Sequence, residues 1–145
     1  MSATCSITPP RLEFAFLIRA NLLPSTAVGK TPDGQRTHIP ISGGSVEGPR
    51  LRANVLTGAD RLLVRNDSVA FVDALYEIET DDGALITVHN SGPAAVAEGG
   101  SLPHTTLRFV APEGSHDWLN KSSFVGTLEA HLKDGYVLIR VDQVI

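Results

Sequence analysis

From Arg11 onward, apolar side chains recur at every second position in short runs that stop at glycine, proline or acidic turn residues, and only one segment carries a helical signal. A two-residue period places alternate side chains on opposite faces of an extended chain, so the sequence is that of an all-β protein. "RLEFAFLIRAN" (11–21) sets Leu12, Phe14, Phe16 and Ile18 on one face, and the connection "LPSTAVGKTPDG" separates it from "QRTHIPIS" (35–42). The three glycines and Pro49 of "SGGSVEGP" predict a sharp bend or bulge, after which "RLRANVLTG" (50–58) and "DRLLVRND" (60–67) read as two strands. "VDALYEIETDDGALITVHN" (72–90) is a hairpin, and "GPAAVAEGGS" (92–101) has the composition of a mobile loop or lid. "LPHTTLRFVAP" (102–112) is a further strand. "EGSHDWLNKS" predicts one helical turn capped by Ser115, and a last hairpin turns at Lys133-Asp134-Gly135.

About nine antiparallel strands, several of them long, favour a closed or nearly closed barrel over a sandwich, because closure removes the exposed edges that template aggregation. With 145 residues and no linker or repeat, residues 1–145 form one domain, with 1–10 as a frayed N-terminus. The net charge of −4 and the scattered lysines and arginines argue against a nucleic-acid partner. No apolar stretch is long enough for a membrane-spanning helix. "MSATCSITPP" lacks a basic and an apolar signal region, and Cys5 is the only cysteine, so an intracellular, cytoplasmic setting is expected.

The hairpin contains the chemistry. A three-residue loop Asp81-Asp82-Gly83 pairs Ile78 with Ile86, Tyr76 with Val88, Glu77 with Thr87 and Leu75 with His89, whereas a two-residue turn would set carboxylates against aliphatic side chains. One face then holds Val72, Ala74, Tyr76, Ile78, Ile86 and Val88. The other mixes Phe71, Asp73, Leu75, Glu77, Thr87 and His89. Alternation leaves two orientations open: the mixed face in solvent, or the mixed face inside the barrel, where burial would tune Asp73 and His89 for proton transfer.

Other chemistries lack their signatures. His38, His89, His104, His116 and His131 show no metal-ligand spacing, so no metal is expected. There is no Gly-x-Ser-x-Gly elbow, and "SGGSVEG" lacks the lysine and following helix of a phosphate loop. Trp118, the only tryptophan, can plug one end of a barrel or, beside His116 and Asn120, wall a pocket.

"PISGGSVEGPRLRANVLTGAD", "VRNDSVAFVDALYEIETDDGALITVHNSG" and "DWLNKSSFVGT" together resemble the domain-of-unknown-function family numbered 3237, also called uncharacterised protein family 0311, over about Leu12 to Val144. The most specific parts are Gly43-Gly44 with Gly48-Pro49, the Gly58-to-Asp60 turn, Asp73 with Tyr76, Asp82-Gly83-Ala84, Asn90, Trp118-Leu119-Asn120 and Phe124-Val125-Gly126. The resemblance implies a small antiparallel barrel that forms homo-oligomers, and it implies no particular reaction. Where this chain has Arg61, Leu75, Thr87 and His89, relatives often carry tryptophan, arginine, tyrosine and arginine.

Most of those departures fall on the mixed face, which is therefore expected to line the lumen and to be rewritten for a greasier ligand. The resulting expectation is a cofactor-independent isomerase, cyclase or lyase of specialised metabolism, acting on a hydrophobic polyketide- or terpenoid-like small molecule. Asp73, His89 and Glu77 would move the proton, and Phe71, Leu75, Thr87, Trp118 and Asn120 would hold the substrate. The rival readings are a non-catalytic ligand-binding barrel and a hydrolase of lactones or epoxides.

Overall fold

Alternation becomes a single closed sheet in the computed structural model, which describes residues 3–95 and 102–145. Its strands are β1 (Leu12–Leu22), β2 (Thr26–Thr31), β3 (Gly34–Glu47), β4 (Arg52–Arg65), β5 (Ala70–Thr80), β6 (Leu85–Pro93), β7 (His104–Val110), β8 (Phe124–His131) and β9 (Tyr136–Val144). All pairings are antiparallel, and β1 closes the cylinder by pairing with β9 on one side and β3 on the other. The barrel thus has eight strands, and β2 lies outside it, paired only to β3.

The predicted barrel is present, and the strand list needs correction. The connection read between the first two strands contains β2, and the two strands read at 50–67 are one, β4. The glycines that look like breaks are close-approach points within long, bent strands. A Cβ on Gly44 would overlap the Arg19 carbonyl oxygen of β1 at the closure seam, and φ there is +136°. A Cβ on Gly58 would overlap the Leu75 carbonyl oxygen and the Tyr76 side chain, so the expected Gly58-to-Asp60 turn is instead continuous strand. In β1 the register slips between Phe14 and Phe16. That bulge turns Phe14 outward, with the Arg140 guanidinium 5.1 Å from its ring centroid, while Phe16 and Ile18 are fully buried. Leu12 is exposed too, so the face expected to hold all four is split.

The β5–β6 register is the expected one: Ile78↔Ile86, Tyr76↔Val88, Glu77↔Thr87 and Leu75↔His89, with Gly83 at φ +86°. The final hairpin turns through Gly135 at φ +77°. The helical turn is a 3-10 segment, Asp117–Lys121, begun at His116 without a side-chain cap, so the expected Ser115 cap is absent. Residues 96–101, the larger part of the expected lid, lie outside the described residues.

One end of the cylinder is filled. The rings of Phe16, Phe109 and Phe124 meet at 5.0–6.1 Å, and Leu119 from the 3-10 segment is buried against them. Trp118 packs on Phe124 at 5.9 Å, and the Arg50 guanidinium is 3.9 Å from the centroid of the Trp118 ring. Asn120 Oδ1 accepts from the Ala111 amide at 2.7 Å, and its Nδ2 donates to the Ala111 carbonyl at 2.9 Å.

Candidate active site in the barrel lumen

The other end is hollow. The same alternation that delivers phenylalanines to the filled end delivers small or aliphatic side chains here, among them Ala20, Ile41, Val72, Ala74, Leu128 and Ile139, and leaves a cavity of about 450 Å³. Its rim includes the exposed Leu102 and Leu132. Only three polar side chains line the cavity among the described residues: Asp60, Tyr76 and Asn90.

Strand register brings these three together. Asp60 on β4 is opposite Ala74 on β5, and Ala74 is opposite Asn90 on β6, so one row across the wall carries an acid and an amide with a methyl group between them. Tyr76 lies two residues along β5 on the same face. The β4–β5 ladder is interrupted between the Asp60↔Ala74 and Leu63↔Phe71 pairs. Within that gap Asp60 Oδ1 accepts a 2.9 Å hydrogen bond from the Asp73 amide.

Burial of Asp60 raises its pKa above 3.8; the hydrogen bond from the Asp73 amide opposes the rise, and the Asp73 carboxylate adds to it. The group therefore holds a proton more readily than a surface aspartate. Tyr76 is fully buried, and desolvation pushes its phenol far above the usual range, fixing it as a neutral hydroxyl. The Tyr76 hydroxyl and Asn90 Oδ1 are both buried without a hydrogen-bond partner among the described residues. Among the described residues no cluster of three or more histidine, cysteine, aspartate or glutamate side chains could hold a metal ion.

The residues expected from sequence occupy other places. Asp73, Leu75, Glu77, Thr87 and His89 are on the outer wall, with Phe71 on the same face, because Val72, Ala74, Tyr76, Ile78, Ile86 and Val88 fill the inside. The expected inward orientation of the mixed face is corrected. Asp73 and His89 do meet, with Nε2 2.8 Å from Oδ1, but their side chains are 41% and 35% exposed. Leu75 and Glu77 are exposed, and Thr87 is half-buried on the outside. The physical reason is that a carboxylate is cheaper to hydrate than to bury, and the outward face carries three on β5 alone, Asp73, Glu77 and Glu79. Trp118 and Asn120 belong to the filled end: Trp118 plugs it, and both polar atoms of the Asn120 amide are committed to Ala111.

Asp60, Tyr76 and Asn90 were not singled out as site residues by sequence. Asp60 follows Gly58 and reads as a turn acid. Its signal was parity, since it alternates with Gly58 and Leu62 and so shares the inward face. Tyr76 and Asn90 follow the same rule on β5 and β6.

The family model described as "Protein of unknown function (DUF3237)" matches residues 10–144. The chain belongs to that family. A UPF0311 protein of Rhodopseudomonas palustris (strain TIE-1) is 32% identical over 153 residues, spanning 94% of this chain and 99% of its own length. The crystal structure of a beta-barrel like protein from Acinetobacter baumannii AYE superposes with a TM-score of 0.87 at 28% identity, covering 98% of this chain and all of that one. The hydroalkoxylation enzyme phnH of Penicillium herquei is 28% identical over 120 residues, 83% of this chain and 75% of its own. A distant relative is therefore a catalyst. No helix among the described residues is long and apolar enough to cross a membrane.

Proposed function

We propose that this chain is an enzyme of specialised metabolism that closes a ring within its lumen by adding a substrate hydroxyl across a carbon–carbon double bond of the same molecule. The observation that carries this reading is Asp60, a carboxyl group with raised proton affinity on the wall of a cavity that is apolar apart from Tyr76 and Asn90 among the described residues. The hydroalkoxylation activity of the Penicillium relative supports it.

The reaction is an isomerisation, so it consumes no second reactant. Asp60 in its acid form gives its proton to one alkene carbon, the hydroxyl oxygen bonds to the other, and the proton leaving that oxygen returns to the Asp60 carboxylate. Run backwards, the same steps are an eliminating, lyase-type ring opening. A positioned acid of this kind contributes about 10²–10⁴-fold. The apolar wall adds a second contribution by holding the flexible chain of a polyketide- or terpenoid-like substrate near the reactive fold, which can remove several kcal/mol of barrier, on the order seen in intramolecular reactions.

Asp60→Asn tests the reading. The amide keeps an oxygen to accept from the Asp73 amide, so the fold should hold, while the acid is gone. With an ortho-allylic phenol as substrate, the parent protein is expected to yield one enantiomer of the cyclic ether. The variant is expected to lose at least about a hundredfold in turnover. Asp73→Asn and His89→Gln, on the outer wall, should each retain most of it. A racemic ether at the uncatalysed rate would leave the barrel as a binding protein, and undiminished turnover by Asp60→Asn would remove the acid role and leave Asp60 only to complete the β4–β5 ladder.

A further inference from the structure

Two polar atoms of the lumen are unaccounted for by proton transfer. The Tyr76 hydroxyl and Asn90 Oδ1 belong to side chains 2% and 1% exposed, and neither finds a partner among the described residues. A buried donor or acceptor left unpaired costs about 1–3 kcal/mol, so such groups are normally paired by a neighbour, by water or by a ligand. Both are on residues that line the cavity, and one is a donor while the other is an acceptor. They are diagonal neighbours: Tyr76 is opposite Val88 and Asn90 is opposite Ala74, a separation of roughly 7–8 Å between strand positions.

The rest of the wall is selective by charge. None of the cavity-lining residues among those described is lysine, arginine or histidine, and the sequence of 96–101, Val-Ala-Glu-Gly-Gly-Ser, contains none. An anion entering here would lose its hydration and gain no counter-ion. A neutral molecule would lose only the solvation of groups that Tyr76 and Asn90 can replace.

We infer that the lumen selects uncharged hydroxy ketones and their enols, the ligand oxygen accepting from the Tyr76 hydroxyl and the ligand hydroxyl donating to Asn90 Oδ1, and that it rejects carboxylates, phosphates and coenzyme A thioesters. This rests on the reading of the lumen as the substrate site and assigns it a ligand class. Tyr76 and Asn90 then select the substrate, while Asp60 acts on it.

Calorimetric titration with four probes tests the assignment: a hydroxynaphthyl methyl ketone, the naphthyl methyl ketone without its hydroxyl, an ethylnaphthol without the ketone, and a hydroxynaphthoate. Loss of either polar group is expected to weaken binding to the parent protein about fivefold to tenfold, the range of one net hydrogen bond. The naphthoate should bind about a hundredfold more weakly or not at all. Tyr76→Phe should erase the penalty for losing the ketone and keep that for losing the hydroxyl. Asn90→Ala should do the reverse; if it fails to fold, Tyr76→Phe, which keeps the ring, still decides the matter. Equal affinity for the three neutral probes, a preference for the carboxylate, or an unchanged pattern in Tyr76→Phe would overturn the inference. Turnover separates the two proposals. If Asp60→Asn stays active while the probe pattern holds, the catalytic reading alone fails; if Asp60→Asn is inactive and the pattern is missing, the ligand assignment alone fails.

Discussion

The two ends of the barrel interior are built on the same strands by the same alternation, yet one is solid and the other hollow. β5 shows the contrast within a single strand: Val72 and Ala74 line the cavity, whereas Ile78, two pairs further along, is in the packed region with Ile86. On β1, Phe16 joins the ring cluster, and Ala20, further along the same strand and face, leaves space. Side-chain volume, with no change of backbone plan, decides where this fold encloses a site. The polar groups lining the two regions differ as well, though not without exception. At the filled end the Asn120 amide is satisfied at both atoms while His116 Nδ1 has no partner among the described residues, and at the hollow end Tyr76 and Asn90 each keep an unpaired atom.

The strongest way to break the comparison is to exchange volume between the ends. Phe16→Ala is expected to cost about 3–5 kcal/mol, because it removes a fully buried ring and leaves a void in close-packed surroundings. Ala74→Leu places bulk where there is already space, so stability should change by about 1 kcal/mol or less while ligand binding is lost. Urea unfolding and calorimetry measure both; a large destabilisation by Ala74→Leu would mean the cavity wall is as tightly packed as the plug.

Polar groups sharpen the comparison at a smaller scale. Asn120→Ala leaves the Ala111 amide and carbonyl without their partners and should cost about 1–3 kcal/mol. Tyr76→Phe removes a hydroxyl that bonds to nothing among the described residues, so it should be neutral or stabilising by less than about 1 kcal/mol. Equal losses in the two thermal melts would show that the Tyr76 hydroxyl has a structural partner.

The smallest effect is one of sign with pH. Asp60, at the hollow end, has a folded pKa raised above 3.8 chiefly by burial, so its contribution to stability is complete below that pH and is lost as pH rises through the folded value. Asp82, in the hairpin loop beyond the filled end, is lowered by the hydrogen bond from Thr80 and then by that from His116, whose Nε2 is 3.0 Å away. Its contribution is present above 3.8 and disappears as pH falls through the lowered folded value. Melting curves across acid pH should therefore show the Asp60→Asn variant gaining on the parent as pH rises, and the deficit of Asp82→Asn closing as pH falls. Parallel curves would contradict the assigned environments.

The barrel and the β5–β6 register were legible in the sequence because turn chemistry and cross-strand matching both depend on local residues: Gly83 fixes the loop, and Ile78 opposite Ile86 fixes the pairing. Which face points inward was not legible, since alternation defines two faces without a sign and both hold aromatic and aliphatic groups. Leu75 and Phe14 stand outside, as many apolar side chains do on small proteins. The resemblance to the family pointed to the right fold and drew attention to residues that differ on the outer wall. Asp60 escaped because a glycine two residues before it reads as a break, when the close approach of β5 is what requires that glycine.

A stopper of three phenylalanines, a leucine and a tryptophan closes one end of this vessel. On the proposed reading, a molecule that enters past Leu102 and Leu132 meets that stopper at the far end, so a cyclised product of nearly the same shape as its substrate would compete with it for the same chamber.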